Sequence, residues 1–325
     1  MEKLKRRKRI AGLTEGELVD DIFVVKIKKE MDKYQKGYRF NLILSDDTGE
    51  SIDYVYWGPS DEGRVKLLFE GVDANSVVHI TGKVGTYRGR PQLSSNESDT
   101  FRVLEEGEYE EGAFIRQPPR SIGEMRKELE GLISSIKDEH LSHLLRHIFT
   151  PETLERFSVH PGAIQHHHNW KGGLMQHALE VAGICGLQAS QHTKLDRDLL
   201  ITGALIHDIG KIHEMEMKVR IRGTIRGQLL GHITISVIMA SEAMEKVGTP
   251  NELREKILHM IVSHHGRLEY GSIKEPMFPE ALALYYADEM SAKVAEMIDF
   301  VEIEGGHTQD RTKYSKYHGR NILLR

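Results

Sequence analysis

Two hydrophobic rhythms divide the chain. From residue 17 to about 105, apolar and polar residues alternate in short runs rich in β-branched and aromatic side chains, the spacing of half-buried strands. The runs are Asp21–Lys29 (DIFVVKIKK), Tyr38–Leu44 (YRFNLIL), Ser51–Trp57 (SIDYVYW) and Val77–Val84, followed by a hairpin around Tyr87-Arg88-Gly89-Arg90. Asp46-Asp47-Thr48-Gly49 marks a turn between the second and third runs, and a short helix is predicted near Val65–Phe69. After Ser121 the spacing turns helical and stays so to about Glu304, with Ser121 and Glu124 forming a capping box ahead of Met125, Leu129 and Leu132.

Five strands and one helix in this length fit a small closed barrel, and the OB-fold is the commonest such barrel. The helical remainder predicts a second, all-α domain. The expected layout is multidomain: a basic N-terminal arm (1–16), an OB-type barrel (17–105), a linker (106–120), an all-α domain (121–304) and a basic C-terminal tail (305–325). The linker is acidic, carries a Pro pair and lacks periodicity. The arm reads either as a solvated end or as a segment that touches phosphates.

Composition narrows this picture only in places. With 325 residues, 29% charged and 39% hydrophobic, the chain is an ordinary globular protein long enough for two domains. A net charge of -5 means that any nucleic-acid contact must use local basic patches. The single cysteine, Cys185, sits in an apolar stretch (VAGICGL); it reads as a core residue and suits a reducing cytoplasm. No apolar run approaches the roughly 20 residues that span a bilayer, so no membrane segment is expected. Histidine is the unusual count, at 18, and most of it falls after residue 139.

Five helical segments there carry a His or Asp beside apolar residues. They are GGLMQHALEV (His177), ALIHDIGKIHE (His207, Asp208), LLGHITIS (His232), IVSHHG (His264, His265) and YYADEMSAKV (Asp288). One such histidine is usually a hydrogen-bonded core residue. Burying all of them without a cation would cost several kcal/mol in desolvation. Asp208 has two oxygens and can bridge two metals, with His177, His207 and Asp288 completing one and His232 with His264 the other. His and carboxylate donors suit a divalent transition metal; manganese, cobalt, iron, nickel or zinc would fit, and calcium or magnesium less well. Metal-activated water would be the nucleophile. Lys211, just after the pair, reads either as a phosphate contact or as a helix-end lysine.

The order His177, His207-Asp208, His232, His264, Asp288 resembles the signature of the HD superfamily. That resemblance implies an all-α fold, one or two metals and phosphoester hydrolysis. Together with the upstream barrel, the stretch HHHNWKGGLMQHALEV and the SHHG pair look like the YhaM-type 3′→5′ exoribonucleases, over roughly residues 15–300. That family implies manganese- or cobalt-dependent trimming of single-stranded RNA and often single-stranded DNA, with homo-oligomeric assembly a weaker expectation. Asp208, Lys211 and His265 are then the catalytic candidates. Either His264 or His265 can be the inner ligand; His264 is preferred, with His265 facing the substrate. His166, His167 and His168 read as a phosphate-contacting strip, an extra metal position or a surface loop, with His168 and Trp170 nearest the site. The other readings are a nucleotide or cyclic-nucleotide phosphohydrolase with a regulatory barrel, a di-iron oxygenase, and a binding module with a structural metal.

Single-strand binders of the barrel type pair a positive groove with aromatic platforms. Alternation puts Tyr54 and Tyr56 on one face and Trp57 on the other, so not all of them can stack bases. The hairpin Tyr87, Arg88 and Arg90 is the better candidate, since it couples an aromatic ring to two cations. Few strand residues are Lys or Arg, which predicts weak, salt-sensitive, sequence-independent binding.

Overall fold

A computed structural model describes the chain except residues 1–2, 6–7, 48–49, 165–167, 305–309, 313, 316–317 and 325. It divides into two units, Met1–Arg116 with Lys218–Arg220, and Gln117–Met217 with Ile221–Arg325.

In the first unit the alternating runs become β1 (Leu18–Tyr34), β2 (Gly37–Ser45), β3 (Ser51–Trp57), β4 (Val77–Tyr87), β5 (Arg90–Asn96) and β6 (Phe101–Leu104), with helix α1 (Glu62–Glu70) between β3 and β4. The sheet order is β1-β2-β3-β5-β4-β6, and a further β1–β4 pairing closes the first five strands into a barrel. β3 and β5 pair in parallel and the other ladders are antiparallel. This is the OB-like barrel expected, with one strand more. β1 can serve two neighbours because it is 17 residues long and shifts register between Val25 and Ile27 and between Lys28 and Met31; such irregularities bend a strand around a barrel.

The barrel core settles the aromatic alternation. Tyr54 and Tyr56 are buried with Phe40, Leu42, Ile80 and Leu93, so neither is a base platform. Trp57, on the other face, packs edge-on against Tyr34. The described part of the basic arm is neither frayed nor free. Ile10 is buried in the barrel core, the Lys8 backbone N–H donates to Asp21, and Lys8 and Arg9 pair with Glu17 and Asp47. The expected linker also begins inside this unit, since Tyr109 and Phe114 pack with Ile22, Val24 and Val77.

The second unit holds α2 (Ile122–Ser134), α3 (Glu139–Ile148), α4 (Pro151–Val159), α5 (Gly173–Gln191), α6 (Arg197–Ile206), α7 (Lys211–Glu214), α8 (Ile225–Lys246), α9 (Asn251–Ser263) and α10 (Pro279–Glu304). One large apolar core runs from Met125 to Ala287 and includes Leu200, Leu205, Ile206, Ile257 and Ile261, the residues that flank the metal-ligand candidates. Cys185 is a core residue there, its thiol pushed up to about 12 by burial. Two details depart from expectation. Ser121 sits at the N-cap of α2 but makes no capping hydrogen bond. A two-stranded ribbon, β7 (Met215–Met217) with β8 (Ile221–Gly223), interrupts the helices. The described part of the tail folds back on itself through bridges at Arg311–Leu323 and Ser315–Arg320.

Candidate metal centre

Five helices bring the candidates together. His177 lies early on α5, His207 ends α6 with Asp208 next, His264 ends α9, and Asp288 sits on α10. His232 is in α8, one residue after Gly231. At φ 69° and ψ 158°, Gly231 breaks the helix there, a conformation open to glycine and costly for other residues. The kink lets both the backbone N–H (2.9 Å) and the ring Nδ1 (3.1 Å) of His232 donate to Glu214.

The donor atoms form two groups that share Asp208. On one side His177 Nε2 lies 2.9 Å from Asp288 Oδ1, 3.3 Å from His207 Nε2 and 3.7 Å from Asp208 Oδ2. His207 Nε2 is 3.4 Å from Asp208 Oδ2 and 3.8 Å from Asp288 Oδ1. On the other side Asp208 Oδ1 is 3.4 Å from His232 Nε2 and 3.6 Å from His264 Nε2. Donors that share a cation at about 2.1 Å lie about 3.0–3.4 Å apart, so both groups fit an ion with small adjustments. Asp208 Oδ1, His232 Nε2 and His264 Nε2 are buried with no hydrogen-bond partner, and each such atom costs about 1–3 kcal/mol unless something else satisfies it. A cation between them would remove that cost.

Every imidazole here has its Nδ1 committed. His207 donates to the Ala204 carbonyl (2.8 Å), His264 to that of Ile261 (2.7 Å), His265 to that of Tyr270 (3.2 Å), His232 to Glu214 and His177 to the Ser291 hydroxyl (3.1 Å). Ser291 in turn donates to Glu180 (2.8 Å). A proton fixed on Nδ1 leaves Nε2 as a lone pair facing the centre, which is the form that binds a metal. Ser291, Glu180 and Glu214 were absent from the sequence reading. The only signal for the first two was spacing, since each lies three residues after a ligand candidate, Asp288 or His177.

The electrostatics match. Burial works against charge on Asp208, but Lys211 and His207 beside it outweigh burial and hold its pKa well below the ordinary carboxylate value. Asp288 is lowered in the same way, with His177 overcoming burial. Burial keeps His264 well below the usual imidazole value and lowers His177 and His265, so these rings stay neutral and able to coordinate. His207 is the exception: Asp208 outweighs burial and raises it.

The remaining candidates separate. Lys211 Nζ is 2.6 Å from Asp208 Oδ2 and lines a cleft with His177, Asp208, His232 and Asp288. His264 and His265 both line it, His264 fully buried and His265 only partly; His232, His264 and His265 also have donor atoms within 4.8 Å of one another. His168 and Trp170, expected to contact the strand, lie inside the fold. Both are buried, His168 bonded to Glu180 with its ring 5.2 Å from that of His177, and Trp170 bonded to Gln176, so they pack behind a ligand candidate and have little surface to offer a strand. His166 and His167 lie outside the described residues. In the barrel unit, Tyr87, Arg88 and Arg90 are exposed on a hairpin tip, with the Arg88 guanidinium 5.3 Å from the Tyr87 ring.

The helical fold and the His/Asp cluster define an HD-domain protein, and residues 174–293 match the family model of the HD domain. The chain belongs to the YhaM family. It is 32% identical over 287 residues to "3'-5' exoribonuclease YhaM" of Bacillus velezensis, which covers 87% of each chain. It is 30% identical to the protein of that name from Bacillus subtilis, again over 87% of each chain. With that of Halalkalibacterium halodurans it shares 29% over 92% of this chain and 91% of the relative. Among the described residues no helix is long and apolar enough to cross a membrane.

Proposed function

We propose that this chain is a metal-dependent 3′→5′ exonuclease that hydrolyses phosphodiester bonds of single-stranded RNA, with manganese its expected metal and single-stranded DNA a further substrate. The observation that carries the reading is the convergence of four imidazole Nε2 atoms, of His177, His207, His232 and His264, on two carboxylates, each Nδ1 tied back to an acceptor. The YhaM relatives, similar over most of their length, supply the direction and the RNA substrate.

A bound divalent transition metal supplies Lewis acidity and an activated water. His177, His207, Asp288 and Asp208 Oδ2 would hold one ion; Asp208 Oδ1, His232 and His264 would hold a second. His264 is the inner ligand of the histidine pair because it is the more buried and its Nε2 faces Asp208, while His265 faces the strand. Lys211, kept charged by Asp208, offsets charge that builds on the phosphate. Tyr87, Arg88 and Arg90 give the strand a weak, sequence-independent contact on the barrel.

A 5′-labelled oligoribonucleotide tests the reading. It should shorten stepwise with manganese, and Asp208→Ala should abolish the ladder. An oligomer that stays intact with manganese, cobalt, nickel and iron each supplied refutes it.

A further inference from the structure

The metal donors form one side of a cleft of about 350 Å³. That volume is at the small end of ligand pockets and suits one nucleotide better than a duplex. Two tyrosines, Tyr270 and Tyr285, line the same cleft. Tyr285 is 8% exposed. It is covered by Gly266, where an added Cβ would lie 2.3 Å from the ring. Tyr285 therefore has little face to offer. Tyr270 is 52% exposed, and of the two tyrosines lining the cleft among the described residues it is the one with ring surface open to solvent.

The loop that carries Tyr270 is built to hold it. Ser272 Oγ donates to the Val262 carbonyl, the Ile273 and Lys274 N–H groups donate to the same carbonyl, and the Tyr270 N–H donates to Arg267. The Tyr270 carbonyl accepts from Nδ1 of His265, so the loop and the cleft histidine hold one another in place. The Arg267 guanidinium lies 5.8 Å from the Tyr270 ring. A half-exposed aromatic, fixed beside a hydrolytic centre and near a cation, matches how single-strand binders hold bases.

We propose that Tyr270 is the stacking platform for the 3′-terminal base, setting the last phosphodiester over the metal donors; this rests on the exonuclease reading above. Every base has a π-face, so stacking holds any terminal nucleotide, as an enzyme that steps through mixed sequence needs.

The test compares short 5′-labelled RNAs that end in a normal or an abasic 3′ residue, degraded by the full chain with manganese. The wild type should show a KM for the abasic end raised about tenfold. Tyr270→Ala should lose that preference by raising KM for the normal end, with kcat within about threefold and manganese affinity, titrated separately, unchanged; Tyr270→Phe should keep it. A Tyr270→Ala variant that retains the full preference, or a wild type that never shows one, overturns the inference and leaves the exonuclease reading standing. If the wild type degrades neither RNA, the exonuclease reading itself fails and this inference with it.

Discussion

Ser291→Ala should weaken metal binding without unfolding the protein. The hydroxyl accepts from His177 Nδ1 at 3.1 Å and donates to Glu180 at 2.8 Å. Without metal the variant has an escape. The His177 proton can move to Nε2, which already faces Asp288 Oδ1 at 2.9 Å, so the metal-free chain loses chiefly the hydrogen bond to partly exposed Glu180, about 1–2 kcal/mol. With metal that escape closes. Nε2 must be the lone pair, and the Nδ1–H then points at a methyl group in a fully buried site. An unsatisfied buried donor costs about 1–3 kcal/mol. At about 1.4 kcal/mol per factor of ten, that is a loss of about 5- to 150-fold in affinity. Removing an outer partner of a metal-bound histidine usually costs about 10- to 100-fold, which agrees. Titrating manganese against a competing chelator gives the affinity, and thermal unfolding of the metal-free chain gives the control. Ser291→Thr, which keeps the hydroxyl, should recover most of the loss. Affinity within twofold of wild type for Ser291→Ala would refute the reasoning, as would a metal-free chain destabilised by several kcal/mol.

Other consequences follow from the same geometry. Glu214→Ala removes the acceptor of both His232 N–H groups, so binding on the His232 side should weaken about tenfold while the first ion is retained; metal stoichiometry against free manganese reads this. Burial raises the Glu180 pKa, but hydrogen bonds from His168, Gln176 and Ser291 outweigh burial and bring it to about 2 from the ordinary 4.5. A depressed carboxylate stabilises the fold above its unfolded pKa and loses that contribution as pH falls through the folded one. The stability gap between wild type and Glu180→Gln, about 1–2 kcal/mol after discounting for partial exposure, should thus hold above pH 4.5 and close toward pH 2 in urea titrations. Gly266→Ala places a Cβ against Tyr285 at φ 75°, and should cost about 2–4 kcal/mol in chemical denaturation; a loss under about 0.5 kcal/mol would contradict the packing. Arg88→Ala with Arg90→Ala should flatten the salt dependence of RNA binding by about two counterions, whatever the sequence of the RNA.

What the sequence disclosed and what it hid follow one physical line. The ligands were legible because each is a titratable residue set among apolar neighbours at helical spacing, and such residues must be reconciled with burial. Their supports were not, because Glu180, Glu214 and Ser291 look like any solvated helix residue until the chain folds. Ser291 matters only because α10 lies against α5, a contact no local pattern encodes. His168 and Trp170 are the opposite case, expected at the surface and found buried. A stretch with Lys171 and several histidines looks exposed, yet Glu180 and Gln176 supply partners that make burial of both rings affordable. In the barrel, alternation separated Tyr54 and Tyr56 from Trp57, but only closure through β1 and β4 decided which face was inside. The kink in LLGHITIS is the intermediate case. Gly231 was visible, and a glycine inside an apolar helical run is costly unless the backbone needs it. Here it does: without the break, His232 could not give both of its N–H groups to Glu214, and its Nε2 would not be held toward Asp208. An unexplained glycine one residue before a ligand candidate is therefore itself evidence that the candidate is being aimed.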